Sequence, residues 1–137
     1  MTKNFKLKEF KCKGNIKGCD CQMPLEVYEN IIKLSSQLQF LRDYTGRPIT
    51  VNSGYRCPKH NKKIGGAHKI INGKRVETSQ HVFGKAADIT IQSLKPAEVF
   101  VIIEDLIDMG HMLQGGLGLY EKRGFVHYDI RKKKSRW

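Results

Sequence analysis

Three residues of this chain are of types that could share one metal ion: His81, Asp88 and His127. Two imidazoles and a carboxylate make a three-ligand set suited to zinc, with the fourth position open to water. Zinc lowers the pKa of such a water from ~15.7 to about 7, so hydroxide becomes available near neutral pH. The spacing alone is weak evidence: six residues separate His81 from Asp88, and the second histidine is distant. What matters is whether the surrounding elements bring the three together.

Residues 86–91, Ala-Ala-Asp-Ile-Thr-Ile, read as a strand with Ala87, Ile89 and Ile91 on one face and Asp88 on the other. Residues 125–131 read the same way, with Val126, Tyr128 and Ile130 on one face and Phe125, His127, Asp129 and Arg131 opposite. If the strands are neighbours, Asp88 and His127 point into one cleft while the apolar faces pack inward. His81 precedes the first strand by a turn containing Gly84, which can fold it back over the same face. Further strands are expected at 48–52 and 115–120. A helix is expected from Pro24 to about Thr45, with Leu25, Tyr28, Ile31, Ile32, Leu38 and Leu41 as its apolar stripe. A second runs from Pro96 to Met109, with Val99, Ile102, Ile103 and Leu106 inward and Gly110 as its cap. Residues 59–80 are rich in Lys, Gly, Asn and Ser and read as a long loop. The order helix, strand, strand, helix, strand, strand points to an α+β fold, a small antiparallel sheet packed against helices.

At 137 residues the chain fits one domain, residues 1–137, with an irregular cysteine-containing arm (1–23) and a basic tail (131–137). Its 39% hydrophobic and 28% charged residues exclude a disordered chain, and no apolar run approaches the ~20 residues of a membrane helix. The first residues hold no long apolar stretch, so no signal peptide is expected and synthesis is placed in the cytoplasm. The net charge of +12 draws the protein to polyanions: nucleic acid, an anionic membrane surface or an anionic cell wall. Cys12, Cys19 and Cys21 lack the paired spacing of a zinc ribbon. With Cys57 they are read as reduced, partly buried thiols, a structural metal site or one disulfide being the alternatives. His60, His68 and His111 sit in no comparable motif and are read as structural or exposed.

Three segments together are more specific than any one: Ser53-Gly54-Tyr55-Arg56; Ser79-Gln80-His81 leading to Gly84, Ala86 and Asp88; and Phe125-Val126-His127-Tyr128-Asp129. In order and spacing they resemble the zinc D-Ala-D-Ala carboxypeptidase family of peptidoglycan peptidases, which shares its fold with the Hedgehog signalling domain. The similarity is greatest to the short branch common in bacteriophages and prophages. It runs over roughly residues 5–137, from Phe5-x-Leu7-x-Glu9-Phe10 to Arg136-Trp137. The resemblance implies that His81, Asp88 and His127 are zinc ligands and that Arg56 lies near the substrate. A guanidinium can grip a peptide carboxylate through two parallel hydrogen bonds. Ser79 and Gln80 belong to the matched motif and are expected to line the cleft.

One departure matters. Better-known relatives carry a proton-transferring residue two or three positions before the last zinc ligand, where this chain has Phe125 and Gly124. Asp129, two residues past His127 on the same strand face, is the nearest carboxylate, either as general base or as orienter of a ligand imidazole. Glu121 is expected to be solvated. The expected activity is therefore a monomeric zinc metallopeptidase acting on peptide stems or cross-bridges of bacterial peptidoglycan after release from the cell. It would trim terminal D-Ala or cut internally as a phage lytic enzyme. The alternative is a non-catalytic zinc-containing module that binds cell wall or nucleic acid.

Overall fold

The computed structural model describes residues 1–14 and 22–137; Cys19 and Cys21 lie outside the described residues. A short 3-10 helix, Leu7–Phe10, is followed by α1 (Leu25–Thr45), β1 (Ile49–Ser53), α2 (Pro58–Lys63), β2 (His68–Ile71), β3 (Lys74–Glu77), β4 (Ala86–Ile91), α3 (Pro96–Asp108), β5 (Gly116–Tyr120), β6 (Phe125–Asp129) and β7 (Ser135–Arg136). The fold is α+β, as expected. Five strands form the main sheet in the order β1-β4-β6-β5-β7, and β2 and β3 form a separate hairpin. All pairs are antiparallel except β5 with β7.

Both long helices lie against the sheet through one stripe each. In α1 the buried apolar residues are Val27, Ile31, Leu34, Leu38 and Leu41. Their spacing of four, three, four and three keeps them on one side of a 3.6-residue helix. Leu25 and Ile32, expected in this stripe, are instead 73% and 38% exposed. Leu25 stands in the first turn and Ile32 is about 100° around from Ile31. The helix stops at Gly46, whose positive φ of 65° lets its N–H reach the Arg42 carbonyl. In α3, Val99, Ile103, Leu106 and Ile107 are buried while Ile102 is only partly so. Phe5 and Phe10 of the N-terminal arm also enter the core.

Residues 59–80 are not one loop. Pro58 at the first helical position opens α2, and Asn72-Gly73 turns the hairpin. Both turn residues have positive φ, 51° and 75°, the conformation that two-residue hairpins favour. No apolar pattern marks this hairpin: every residue of β2 is exposed, and the partly buried residues of β3 are Arg75 and Glu77. The basic tail is also in part structured. Ser135 and Arg136 pair with β5, and Arg136 forms a two-pronged ion pair with Glu104 of α3 at 2.7 and 3.1 Å. Strand β6 ends at Asp129, two residues earlier than its alternation suggested.

The turn before β4 delivers His81. Val82 and Phe83 donate to the carbonyls of Ser79 and Gln80, and Lys85 donates to Gln80 as well. Gly84 has φ +71°, and a β-carbon there would lie 2.6 Å from the Val27 carbonyl oxygen of α1. Left-handed backbone costs an L-residue roughly 1–2 kcal/mol before that collision is counted. Gly84→Ala is therefore expected to lower the urea-unfolding stability by at least about 1 kcal/mol. An unchanged midpoint would show that this turn is not pinned against α1.

Candidate metal centre

Register brings the centre together. Strands β4 and β6 pair so that Asp88 stands opposite His127, with Ala87 opposite Tyr128 and Ile89 opposite Val126. The apolar pairs lie in the core, so Asp88 and His127 share the other face. His81 comes over that face from the Gly84 turn. One donor atom from each of His81, Asp88 and His127 lies within 4.8 Å of the others, and all three residues are buried. Asp88 Oδ1 is 3.3 Å from His81 Nε2 and 3.1 Å from His127 Nδ1.

Hydrogen bonds on the far side of each ring decide which nitrogen faces Asp88 without a proton. His81 Nδ1 is 2.7 Å from the Gly54 carbonyl, which can only accept, so Nδ1 carries the hydrogen. His127 Nε2 is 2.7 Å from Asp129 Oδ2 and donates to it. Each neutral ring therefore turns a lone pair towards Asp88. Three electron-rich atoms pressed together repel one another unless a proton or cation sits among them. Their spacing suits zinc: two oxygen or nitrogen ligands at about 2.0–2.2 Å in a tetrahedron stand roughly 3.4 Å apart.

The electrostatics carry the same message. Burial opposes ionisation of Asp88, but when protons rather than a metal fill the gap, the protonated His127 and His81 rings donate to it and hold its carboxyl well below the ordinary range. Burial pushes the His81 ring down, against the pull of Asp88. Burial acts the same way on His127, yet bonds to Asp129 and Asp88 outweigh it and raise that ring.

The three residues line a cleft of about 610 Å³, together with Arg56, Ser79, Gln80, Tyr120, Arg123, Arg131 and Trp137. Asp88 is the one acidic residue of that lining. Arg56 donates from one terminal nitrogen to Ser79 Oγ at 3.0 Å, while its Nε is buried with no hydrogen-bond partner among the described residues. Burial lowers the pKa of this guanidinium. Asp129 is fully buried. Its Oδ1 accepts from the amides of Gly116 and Arg131, and its two oxygens also accept from the Arg131 side chain. Glu121 is exposed and outside the cleft lining.

Within this described geometry the sequence profile of peptidase M15 matches residues 3–129. The chain belongs to the peptidase M15 family. No curated protein matches it.

Sequence reasoning missed three parts of this M15 site. Trp137 tilts against the His127 ring at 5.0 Å and donates from Nε1 to Tyr120 Oη at 2.7 Å. Arg131 spans Asp129 and the face of Trp137. The Gly54 carbonyl orients His81. Arg131 was within reach of alternation, since 127, 129 and 131 share a strand face; the other two contacts join residues far apart in the chain.

Asp129 also makes the metal-free fold acid-sensitive. Burial alone would raise its pKa, but bonds from His127 and Arg131 hold it far below the usual value of about 3.9. A depressed carboxylate adds stability that is complete above the unfolded pKa and is lost as pH falls towards the folded one. Metal-free wild type should therefore lose more stability between about pH 5 and pH 3, as the unfolded carboxylate takes up its proton near 3.9, than Asp129→Asn does. Equal losses in denaturant titrations would remove Asp129 from the acid limb.

Proposed function

We propose that this M15 peptidase is a zinc enzyme that hydrolyses peptide bonds in bacterial peptidoglycan. It either trims terminal D-Ala as a carboxypeptidase or cuts stems or cross-bridges as an endopeptidase of the lytic, phage type. The observation that carries the reading is the convergence of His81 Nε2, Asp88 Oδ1 and His127 Nδ1 in one cleft, each ring held by a partner behind it. Zinc bound there supplies Lewis acidity, acidifying water and polarising a carbonyl.

The remaining steps belong to the chain's own groups. Arg56 stands in the lining with unsatisfied donor capacity, suited to a substrate carboxylate or main-chain carbonyl. Ser79 holds one edge of that guanidinium, and Gln80 lines the cleft beside it. Asp129 is assigned as the positioning residue for His127 rather than as general base. Its oxygens are already engaged by His127, Gly116 and Arg131, and it is closed to solvent. The charge of +12 favours approach to an anionic wall. Because that substrate lies outside the cytoplasmic membrane, the enzyme acts after release from the cytoplasm, as a monomer.

Mass spectrometry of purified peptidoglycan tests the activity. Incubation with the zinc-loaded protein is expected to yield new peptide termini, lost on chelation, restored by zinc and absent with His81→Ala. Intact stems and cross-bridges after prolonged incubation would favour a binding module instead.

Asp129→Asn separates positioning from base chemistry. If Asp129 orients His127, zinc affinity should fall roughly 10- to 100-fold, and added zinc should restore most activity. A loss of about 10²- to 10⁴-fold at full zinc occupancy would assign the proton transfer to Asp129.

A further inference from the structure

The wall of the cleft beside His127 is aromatic, and its order begins with a missing side chain. Gly118 of β5 stands opposite His127 of β6. A β-carbon on Gly118 would lie 2.5 Å from Cε2 and Nε1 of Trp137, so the indole rests directly on the strand. The backbone holds it there: Trp137 N–H bonds the Leu117 carbonyl, and Leu119 N–H bonds the Trp137 carbonyl. From this seat the indole Nε1–H donates to Tyr120 Oη at 2.7 Å. Tyr120 pairs with Phe125 across the β5–β6 ladder, and their rings stack 4.6 Å apart at 18°.

The ring faces of this wall are largely engaged. Gly118 and the Arg131 guanidinium lie against Trp137, and Tyr120 and the Arg123 guanidinium against Phe125. One neutral donor is left uncommitted: the Tyr120 hydroxyl hydrogen. An indole N–H only donates, so it occupies a lone pair of Oη and leaves the phenol's own hydrogen free. No acceptor for that hydrogen stands among the described residues, and half-buried Tyr120 lines the cleft. A hydroxyl that accepts one bond is polarised into a better donor of the next. Arg56 and Arg123 stand in the same lining, so the oxygen that fits best beside this hydroxyl is anionic.

Resting on the reading of this cleft as a peptidase site, we propose that Tyr120 contacts the substrate: its hydroxyl, held by the Trp137 indole, donates to a carboxylate oxygen of the bound peptide. Trp137 acts through Tyr120 and is a positioning residue. The strand geometry sets the kind of contact. Tyr120 lies two positions along β5 from Gly118, the residue facing His127, which is about 6–7 Å along the strand. The hydroxyl therefore stands to one side of the metal centre and meets a part of the peptide that flanks the bond cut. Such a contact is made on binding and kept through the reaction, so it lowers KM and leaves kcat nearly unchanged.

Tyr120→Phe keeps the ring stack and removes only the hydroxyl. With zinc-loaded full chain and soluble muropeptides from purified peptidoglycan, kcat/KM is expected to fall roughly 10- to 100-fold, the worth of one hydrogen bond to a charged acceptor. The loss should lie in KM, at unchanged zinc content. Trp137→Phe should lose less in the same direction, and nothing further in the Tyr120→Phe background. That non-additivity separates an indole acting through the hydroxyl from one that only packs, whose loss would be independent and would overturn its positioning role. Should Trp137→Phe fail to fold, Tyr120→Phe alone decides. An unchanged KM in Tyr120→Phe, or a loss confined to kcat, overturns the contact and leaves the peptidase reading standing. Wild type that leaves the muropeptides uncut overturns the peptidase reading instead. Calorimetric titration of the same muropeptides into zinc-loaded wild type and Tyr120→Phe then decides the contact: weaker binding by the variant upholds it, and equal or absent binding overturns it.

Discussion

The pairing of Asp88 with His127 across β4 and β6 is the constraint on which the cleft depends. In a sheet the side chains alternate, so a one-residue slip would turn Asp88 into the core and bring Ala87 or Ile89 to the cleft. The core prevents that slip. Ile89, Val126, Tyr128 and Leu117 are fully buried beside Leu106 and Ile103 of α3. Each such side chain contributes roughly 1.5–3 kcal/mol by leaving water. That apolar burial offsets the cost of crowding a carboxylate and two imidazoles at one buried point. One face of these strands thus supplies the chemistry and the opposite face the stability to hold it.

Ring orientation comes from groups outside the trio. A carbonyl behind His81 and a carboxylate behind His127 fix which nitrogen each ring presents. Both supports are themselves supported. Gly54 sits between Tyr55, bonded to the Phe10 carbonyl, and the bulge at the end of β1. Asp129 is clamped by the Gly116 amide and the Arg131 guanidinium. The arm and the tail, the two segments that look least organised in the chain, therefore converge on the rear of the same centre. Trp137 completes that wall by packing on His127 and bonding Tyr120.

The cleft joins a concentrated positive field to one buried negative charge. Arg56, Arg123 and Arg131 stand in the lining around Asp88. Two of them are committed on one side, Arg131 to Asp129 and Arg56 to Ser79. A guanidinium whose Nε is buried and unpartnered gains most from an acceptor that arrives with a ligand. Within a chain of net charge +12, the potential in such a cleft favours the approach of anionic groups.

The alternation of residues 86–91 and 125–131 was enough to place Asp88, His127 and Asp129 on polar strand faces, because period two is written directly in the residue types. Likewise Pro24, Gly46 and the apolar spacing marked α1, and the grouped motifs marked the M15 family. The hairpin at 68–77 leaves no hydrophobic pattern because β2 is exposed throughout and the partly buried residues of β3, Arg75 and Glu77, are charged. Leu25 and Ile32 were misassigned because the facing of a helix is set by what it packs on, not by its own composition. The division of labour at Asp129 was open in the chain, since two residues past His127 fits a base and an orienter equally. Only the fold brings Gly116 and Arg131 onto its oxygens and shuts out water. The same holds for Gly54 behind His81 and for Cys12 beside His60, separated by 27 and 48 residues. Local residue types determine strands, turns and candidate ligands; contacts between distant segments decide tautomer and partner, because they arise when the core closes.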